Sequence, residues 1–437
     1  MRNILKRSAL GAAVPHEKGT AACETQKLPL PGRLVLPMAQ HIGAPAAVAV
    51  EKGDRVLVGS LVGRAEGSVS ANIHSGVSGE VSEIGEIMMP NGTVVPAVTI
   101  IPDGEQQTDP SVRPPEVNDY KSFVEAVRAS GLVGLGGAGF PTAVKLSPKN
   151  PDEVKILIVN GAECEPFLTA DTREMLECTA DIIAGVKAVK KHMNLERVII
   201  AVERNKPEAI AAMRAAIDDA AISLKVLPSR YPQGAEKILI EKCTGREVPQ
   251  GGLPGDVGVL VMNVASAGFL GRYLETGMPL VTRRLTVDGD AVEHPKNVEA
   301  VVGTPVEEVL AFCGLRERPA KVMAGGPMMG TCLVSTDFPI IKQNNGILAF
   351  TEASAHLPEP KPCIRCGRCI NGCPMGLSPV EIASAFSAEN IDALAELKTD
   401  LCMECGTCTY VCPAKRPVTQ TVRLAKDLLR KGGKKNG

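Results

Sequence analysis

The sequence predicts a multidomain chain mixing α/β and α+β architecture, and three observations carry that prediction. Residues 28–103 hold short β-branched runs separated by Gly and Pro turns, the pattern of an all-β module. From Tyr120 onward, buried apolar runs alternate with helical patterns, as in a largely parallel sheet with helices on its faces. Between Cys363 and Cys412, two cysteine runs of identical spacing flank a helical connector. A chain of 437 residues accommodates several such units. With 44% apolar and 22% charged residues it has a soluble globular composition able to fill real cores.

Bulk properties remove several function classes. A net charge of -1 gives no reason to expect nucleic acid as a partner. No apolar run approaches the ~20 residues that span a bilayer. Arg2, Lys6 and Arg7 are not followed by an apolar signal core, so a cytoplasmic chain is expected. Fourteen cysteines then point to metal chemistry in a reducing compartment rather than to disulfides.

In order along the chain, residues 1–27 read as an irregular leader, with His16 a hydrogen-bonding surface residue. Strands are expected at Arg33–Pro37, Ala47–Val50, Asp54–Val58, Gly79–Ile84 and Val94–Ile101, with turns at Lys52-Gly53-Asp54 and Pro90-Asn91-Gly92. The phrases VEKGDRVLVGSLVG and IHSGVSGEVSEI resemble the two halves of a biotinyl/lipoyl-type barrel-sandwich domain. No lysine stands at the hairpin tip where such carriers are modified, so 28–103 is expected to be a structural or docking module. Residues 104–118, rich in Pro and polar side chains, read as a linker.

The α/β unit, residues 119–275, opens with a helix over Ser122–Ser130. Five glycines in the nine residues Gly131–Gly139, followed by Lys145, can turn successive backbone N–H groups toward an anion. A buried strand, Val154–Val159, ends in the turn Asn160-Gly-Ala-Glu163-Cys-Glu165-Pro166, at the strand end where open α/β sheets hold ligands. A helix over Asp181–His192, a strand over Arg197–Val202 and a helix over Lys206–Ala221 follow. Gly234-Ala-Glu236 opens another helix, and a last strand, Val257–Met262, ends at Asn263. The uncharged run Val257–Gly271 reads as buried strand and loop, and Cys164 as a small buried residue. Residues 276–345 form a smaller unit with a hairpin at Leu285–Val292, a helix at Thr304–Phe312 capped by Thr304 with Pro305 at its first position, and a strand at Lys321–Ala324.

Residues 346–437 carry the cysteines. Each run reads C-x2-C-x2-C-x3-C-P, the pattern of bacterial ferredoxins that bind [4Fe–4S] clusters, in which the fourth cysteine of one run serves the other cluster. That assigns Cys363, Cys366, Cys369 and Cys412 to one cluster, and Cys402, Cys405, Cys408 and Cys373 to the second. Zinc sites more often use separated C-x2-C pairs. The connector is expected to be helical over Ser378–Phe386 and Asn390–Leu397, with Ser378 and Glu381 as a capping box. The basic end (Arg423, Lys426, Arg430, Lys431, Lys434, Lys435) reads as solvated, with anionic lipid or an acidic partner the other reading.

The motifs Gly136-Gly-Ala-Gly-Phe-Pro-Thr142 with Lys145, Asn160…Glu163-Cys-Glu165-Pro166, Gly234-x-Glu236 and Asn263 together resemble the FMN- and NADH-binding subunit of respiratory complex I. The resemblance implies that Gly136, Gly137, Gly139 and Lys145 hold the flavin phosphate and ribityl chain, with Asn160 and Glu163 near the isoalloxazine. It also implies that Phe140 flanks the nicotinamide nucleotide and Glu236 binds its ribose, with Gly234 and Asn263 completing the site. Ala162 and Ala235 stand where that family carries acidic residues. The domain order, barrel-sandwich, flavin unit, a β-grasp piece and a double-cluster end, resembles the C subunit of the Rnf ion-translocating electron-transport complexes, from about Gly11 to Lys426. The resemblance implies two [4Fe–4S] clusters, FMN and NAD(H), a ferredoxin-type iron–sulfur partner, the other subunits of a membrane complex, and a peripheral place on the cytoplasmic face. Hydride transfer requires no general acid or base from the protein. A soluble NADH-dependent reductase of the cobalamin-reductase kind and a non-catalytic subunit with a decayed flavin site are the alternatives.

Overall fold

The computed structural model describes residues 11–433; Arg2, Lys6, Arg7, Lys434 and Lys435 lie outside them. The strands are β1 (Gln26–Lys27), β2 (Leu34–Pro37), β3 (Ala47–Val48), β4 (Arg55–Val56), β5 (Leu61–Arg64), β6 (Ile73–His74), β7 (Gly79–Met88) and β8 (Val94–Pro102). Next come β9 (Ile156–Gly161), β10 (Arg197–Glu203), β11 (Ile222–Leu227) and β12 (Val259–Asn263). The last five are β13 (Thr282–Asp288), β14 (Lys296–Val301), β15 (Lys321–Ala324), β16 (Thr331–Cys332) and β17 (Gly346–Phe350).

The N-terminal module pairs an antiparallel sheet, β2-β8-β7-β4, with a three-stranded sheet, β3-β5-β6. Alternating residues of both sheets, among them Leu34, Leu36, Val62, Ile73, Val81, Val98 and Ile100, make its core. β7 runs past the expected Ile84 because residues 85–88 pair with Val94–Ala97 around the Pro90–Gly92 turn. The expected linker makes no helix or strand, yet its first part is anchored by Val58, whose N–H donates to the Gln107 carbonyl and whose carbonyl accepts from the Asp109 N–H.

The α/β unit is a parallel sheet of order β11-β10-β9-β12. Both its faces are covered: Leu157 and Val159 of β9 join one apolar cluster, Ile156 and Ile158 the other. The helix after β10 spans Pro207–Ala216 and stops five residues before the expected Ala221. Asp218 and Asp219 there turn back to the Lys187 and Lys190 ammonium groups, and Asp219 accepts from the Ala221 N–H. The expected loop after β12 is instead a helix, Val264–Thr276. Glycines on both sides serve its close packing on the helix Thr179–His192: a Cβ on Gly185 of that helix would stand 1.9 Å from the Ala267 carbonyl oxygen, and one on Gly271 2.1 Å from that of Asp181.

The third unit is a mixed sheet of order β1-β14-β13-β17-β15-β16, with the helix Val306–Cys313 on its core. Part of the leader expected to be irregular is thus a strand, β1, pairing in parallel with β14. β13 does turn back on itself, but onto Lys296–Val301 rather than onto residues up to Val292. Thr304 is not a side-chain cap: its hydroxyl is buried with no partner among the described residues, because its carbonyl is held by the Ile340 N–H and the helix begins beyond Pro305.

The C-terminal unit is helical, with Arg368–Gly372, Pro379–Ser387, Ile391–Glu396, Thr407–Tyr410 and Val418–Gly433. The helical connector holds, and Asn390 caps its second helix through the Ala393 N–H. Ser378 does not form a capping box; its ψ of 80° is far from the extended value, and its hydroxyl is buried with no partner among the described residues. The basic end is not simply solvated, since Arg423 and Lys426 on the last helix both hold Glu404. Replacing Gly185 by Ala should force the two helices apart and lower stability by about 1–3 kcal/mol despite Ala's better helix propensity. A thermal melt of the variant matching that of the parent protein would show that the contact has slack.

Candidate functional site

β9 is flanked by β10 on one side and β12 on the other, so strand order reverses between β9 and β12. In open α/β sheets the crevice at the carboxyl ends of such a pair receives ligands. Asn160 and Asn263 stand in register with each other at the carboxyl ends of these two strands, Asn160 one residue before the last of β9. Asn160 donates from Nδ2 to the Gly234 carbonyl (2.9 Å) and accepts at Oδ1 from the Ala162 N–H. Asn263 caps the helix Val264–Thr276 by accepting from the Ala265 N–H, and its Nδ2 donates to Asp171 (2.7 Å).

The glycine loop packs in front of that helix. The Leu135 N–H donates to Ser266 Oγ, and the Gly134 N–H to the Phe140 carbonyl. A Cβ on Gly136 would stand 3.0 Å from Asn263 Nδ2, and one on Gly139 2.1 Å from Gln343 Oε1, with Gly137 and Gly139 at φ of 105° and 65°. Lys145 reaches the same crevice, donating to Glu236 (2.7 Å) and to the Val261 carbonyl (3.0 Å). Gly136, Gly137, Gly139, Lys145, Asn160, Gly234, Glu236 and Asn263 are therefore brought together, and half-buried Phe140 closes the loop.

Glu163 does different work. Its carboxylate accepts from the N–H groups of Asp171 and Thr172 and from the Thr172 hydroxyl, capping the helix Ala170–Glu177 from outside. The turn that carries it is held from within by residues that no local motif marks. Lys18 donates to the carbonyls of Glu163 (2.9 Å), Glu165 (2.7 Å) and Leu168 (2.5 Å). Lys206 donates to that of Ala162 (2.8 Å). Arg283, on β13, holds the glycine loop through the Leu135 carbonyl. His16 is the hydrogen-bonding residue expected, paired with Asn205. Burial, with the Glu203 and Glu165 carboxylates nearby, pushes the Cys164 thiol up to about 12, so it stays protonated.

The two cysteine loops share one backbone course. Arg365 and Gly367 in the first have φ of 53° and 72°, and Glu404 and Gly406 in the second 59° and 79°. In each, the N–H two residues on donates to the first sulfur, Arg365 to Cys363 and Glu404 to Cys402, both at 3.4 Å. Past each fourth cysteine the chain turns alike, at Gly376 (φ 66°) and Lys415 (φ 54°). Cys373 lines a single pocket with Cys402, Cys405 and Cys408, walled by Leu377, Ile382 and Val422. Lys361, two residues before Cys363, donates its N–H to the carbonyl of Ala414, two residues after Cys412. Cys363 and Cys366 are exposed, whereas Cys373, Cys405 and Cys408 are buried. Among the described residues, no group of three His, Cys, Asp or Glu stands where it could hold a single metal ion.

A family model described as the Nuo51 FMN-binding domain matches residues 127–270, and one for the RnfC barrel sandwich hybrid domain matches 7–105. An SLBB domain matches 284–331 and a 4Fe-4S dicluster domain 349–416. The C subunit of the proton-translocating ferredoxin:NAD+ oxidoreductase complex of Clostridium ljungdahlii is 41% identical, over 98% of this chain and 95% of that one. The C subunit of the Na+-translocating ferredoxin:NAD+ oxidoreductase complex of Acetobacterium woodii is 42% identical, over 91% and 90%. The chain belongs to the RnfC family. The C subunit of the ion-translocating oxidoreductase complex of Rhodobacter capsulatus is a third relative, 40% identical over 95% of this chain and 81% of its own. A chain in the crystal structure of air-oxidized NAD+-reducing [NiFe]-hydrogenase shares the fold, with a TM-score of 0.51 at 18% identity over 72% of this RnfC protein and 63% of that chain. Among the described residues, no helix is long and apolar enough to cross a membrane.

The residues present fit the groups this family implies. The glycine loop is a cradle that side chains would fill, and buried Gln233 Nε2, beside Gly234, has no partner among the described residues. The pocket between four sulfurs suits a soft metal cluster. Two carboxyls make the crevice sensitive to pH: Glu165, which burial raises to about 7, and Asp171, between Glu163 and Asn263. Burial first, then the Glu163 charge, raises the Asp171 carboxyl from 3.8 to about 7. Between those values the folded protein holds a proton that the unfolded chain releases, so stability falls as pH rises through that window. Asp171→Asn should therefore flatten the decline in melting temperature between pH 5 and pH 7.5, and parallel curves for the two proteins would remove Asp171 from this account.

Proposed function

We propose that this RnfC protein is the peripheral, cytoplasmic-side subunit of a ferredoxin:NAD+ oxidoreductase complex coupled to Na+ or H+ translocation. In this reading the chain passes electrons between two [4Fe–4S] clusters, FMN and NAD(H). The observation that carries it is the continuity from crevice to sulfur pocket. Glu165, on the turn after β9, accepts from the Met328 N–H (2.9 Å). The Met328 carbonyl lies against Gly406, 2.6 Å from where a Cβ would stand, and the Tyr231 hydroxyl donates to the Cys405 carbonyl at 2.7 Å.

When bound, FMN would exchange hydride with the nicotinamide and single electrons with the clusters. Gly136, Gly137 and Gly139 would let the backbone approach its phosphate, Lys145 would meet the phosphate's charge, and Asn160 and Asn263 would hold the ring edge at the switch point. Glu236, already paired with Lys145, and Phe140 would face the nucleotide. Cys402, Cys405, Cys408 and Cys373 would ligate the inner cluster, and Cys363, Cys366, Cys369 and Cys412 the outer one, with the ferredoxin-type donor reached from the outer side. The third unit is read as a β-grasp domain whose work here is positional, through Arg283, Gln343 and Met328.

Ala162 and Ala235 favour a second reading, a non-catalytic subunit with a decayed flavin site. Anaerobically purified protein, extracted for flavin and then mixed with NADH, separates the two. Bound or bindable FMN with bleaching of the flavin band by NADH is expected, and absence of either would sink the enzymatic reading. The crossed ligation has its own test: Cys373→Ser should weaken or abolish the EPR signal of the inner cluster and spare the outer one, whereas Cys412→Ser should do the reverse. Loss of the outer signal in Cys373→Ser would instead mean that each run serves its own cluster.

A further inference from the structure

The two cysteine loops form an internal control, because they fold alike and differ in charge. Corresponding positions lie 39 residues apart, as Cys363 and Cys402 do. Lys361, Arg365 and Arg368 of the outer loop stand where the inner loop has Asp400, Glu404 and Thr407. The inner loop reaches the same φ angles without those cations, so they are not needed to shape a cluster-binding turn.

Their surroundings differ as well. The inner loop's Glu404 is consumed by Arg423 (3.0 Å) and Lys426 (2.5 Å), and Lys426 also donates to the Cys402 carbonyl. The outer loop differs in this respect. Across residues 357–373 and 409–417 the charged residues are Lys361, Arg365, Arg368, Lys415 and Arg416 against Glu359 alone. None of those five basic side chains has a partner among the described residues. The backbone bond from Lys361 to Ala414 joins the two segments into one face. Ile364, 70% exposed between Cys363 and Cys366, and Leu357, 77% exposed, give it apolar contact points. In a chain of net charge -1, this concentration of cations around the two exposed thiols is a local feature.

We propose that this face is a docking surface for a protein whose one-electron centre is ringed by acidic residues. The inference rests on the electron-transfer reading above and adds where the partner binds and what chemistry selects it. Opposite charges steer encounter and set orientation, while the apolar contacts and exposed loop allow close approach without rearrangement. Each productive encounter moves one electron between the partner's centre and the outer one, with no bond or proton exchanged.

The test uses the anaerobic, cluster-loaded chain and two one-electron reductants, a reduced acidic two-[4Fe–4S] ferredoxin and reduced methyl viologen, a small cation. Reduction of the chain's clusters by the ferredoxin should slow at least about tenfold from low to physiological salt, and by a similar factor in Arg365→Glu/Arg368→Glu at low salt. The viologen rate should not fall, and both cluster EPR signals should persist. If that variant fails to load, Lys361→Glu/Lys415→Glu, off the three-sulfur turn, carries the same expectation. A salt-independent ferredoxin rate, unchanged in the variants, would overturn the proposal. So would variants that keep that rate but lose cosedimentation with phosphatidylglycerol vesicles, which would make this a membrane-facing surface. A chain without FMN would refute the hydride reading yet leave this measurement readable, because it follows the clusters alone.

Discussion

The arrangement depends on one turn whose carbonyls point inward at a lysine ammonium. Lys18 holds the carbonyls of Glu163, Glu165 and Leu168, and Lys206 holds that of Ala162. Burial lowers the pKa of Lys18, with the Glu163 charge acting against that shift. Hydrogen bonds to a charged donor contribute about 1.5–3 kcal/mol each, enough to offset enclosing an ammonium. With its carbonyls gathered, the turn sends its two carboxylates in different directions. Glu163 fixes the start of the helix Ala170–Glu177, and through Asp171 the orientation of Asn263. Glu165 fixes Met328, against which the inner cysteine loop rests. One cation from the leader thus sets both the floor of the crevice and its distance from the sulfur pocket.

The leader extends that control over the whole molecule. The Gly11 N–H donates to the Gly372 carbonyl in the cysteine unit, and Ala12 exchanges two backbone hydrogen bonds with Tyr231. Lys18 follows on the turn after β9, and β1 then adds to the third sheet beside β14. A second tie lies at the other end of the glycine loop. Buried Lys342 donates to the carbonyls of Gly131 and Asn72, and burial holds its pKa down at about 7. The neighbouring Gln343 touches Gly139, whose carbonyl also accepts from the Ile42 N–H of the N-terminal module. Three units therefore meet around one loop. Such a joint suits electron passage, which needs fixed separations more than moving parts.

What could be read from the sequence was what is local in it. The cysteine spacing announces its own loops, because each carries its turn residues within a few positions. Asn160 and Asn263 were legible as strand ends, and their register followed from the parallel sheet. Lys18, Lys206, Arg283 and Gln343 were not, because each acts on a segment distant in sequence and has no spacing to announce it. The helix Val264–Thr276 was misread because Gly268 and Gly271 look like breakers until the helix Thr179–His192 lies against them. Thr304 has the right residue type for a cap, yet the Ile340 N–H holds its carbonyl, while Ser378 has a backbone ψ of 80° that takes its hydroxyl away from the helix start. At that helix and at Thr304, propensity was overruled by packing.

The cysteine unit shows how a duplicated element acquires polarity. Both loops have the same backbone conformation, so position alone does not distinguish their chemistry. What distinguishes them is what covers each. Met328 and Tyr231 press on the inner loop, Arg423 and Lys426 neutralise Glu404, and apolar residues surround Cys373 and Cys408. Burial pushes the Cys408 thiol up to about 12, so it would ionise only with a metal charge beside it. Cys363 and Cys366 have no such cover. An electron centre in the first setting is shielded from solvent and from stray partners, and one in the second can be reached. The two loops are therefore told apart by asymmetric cover over a shared backbone, and by the cations that only the outer one carries.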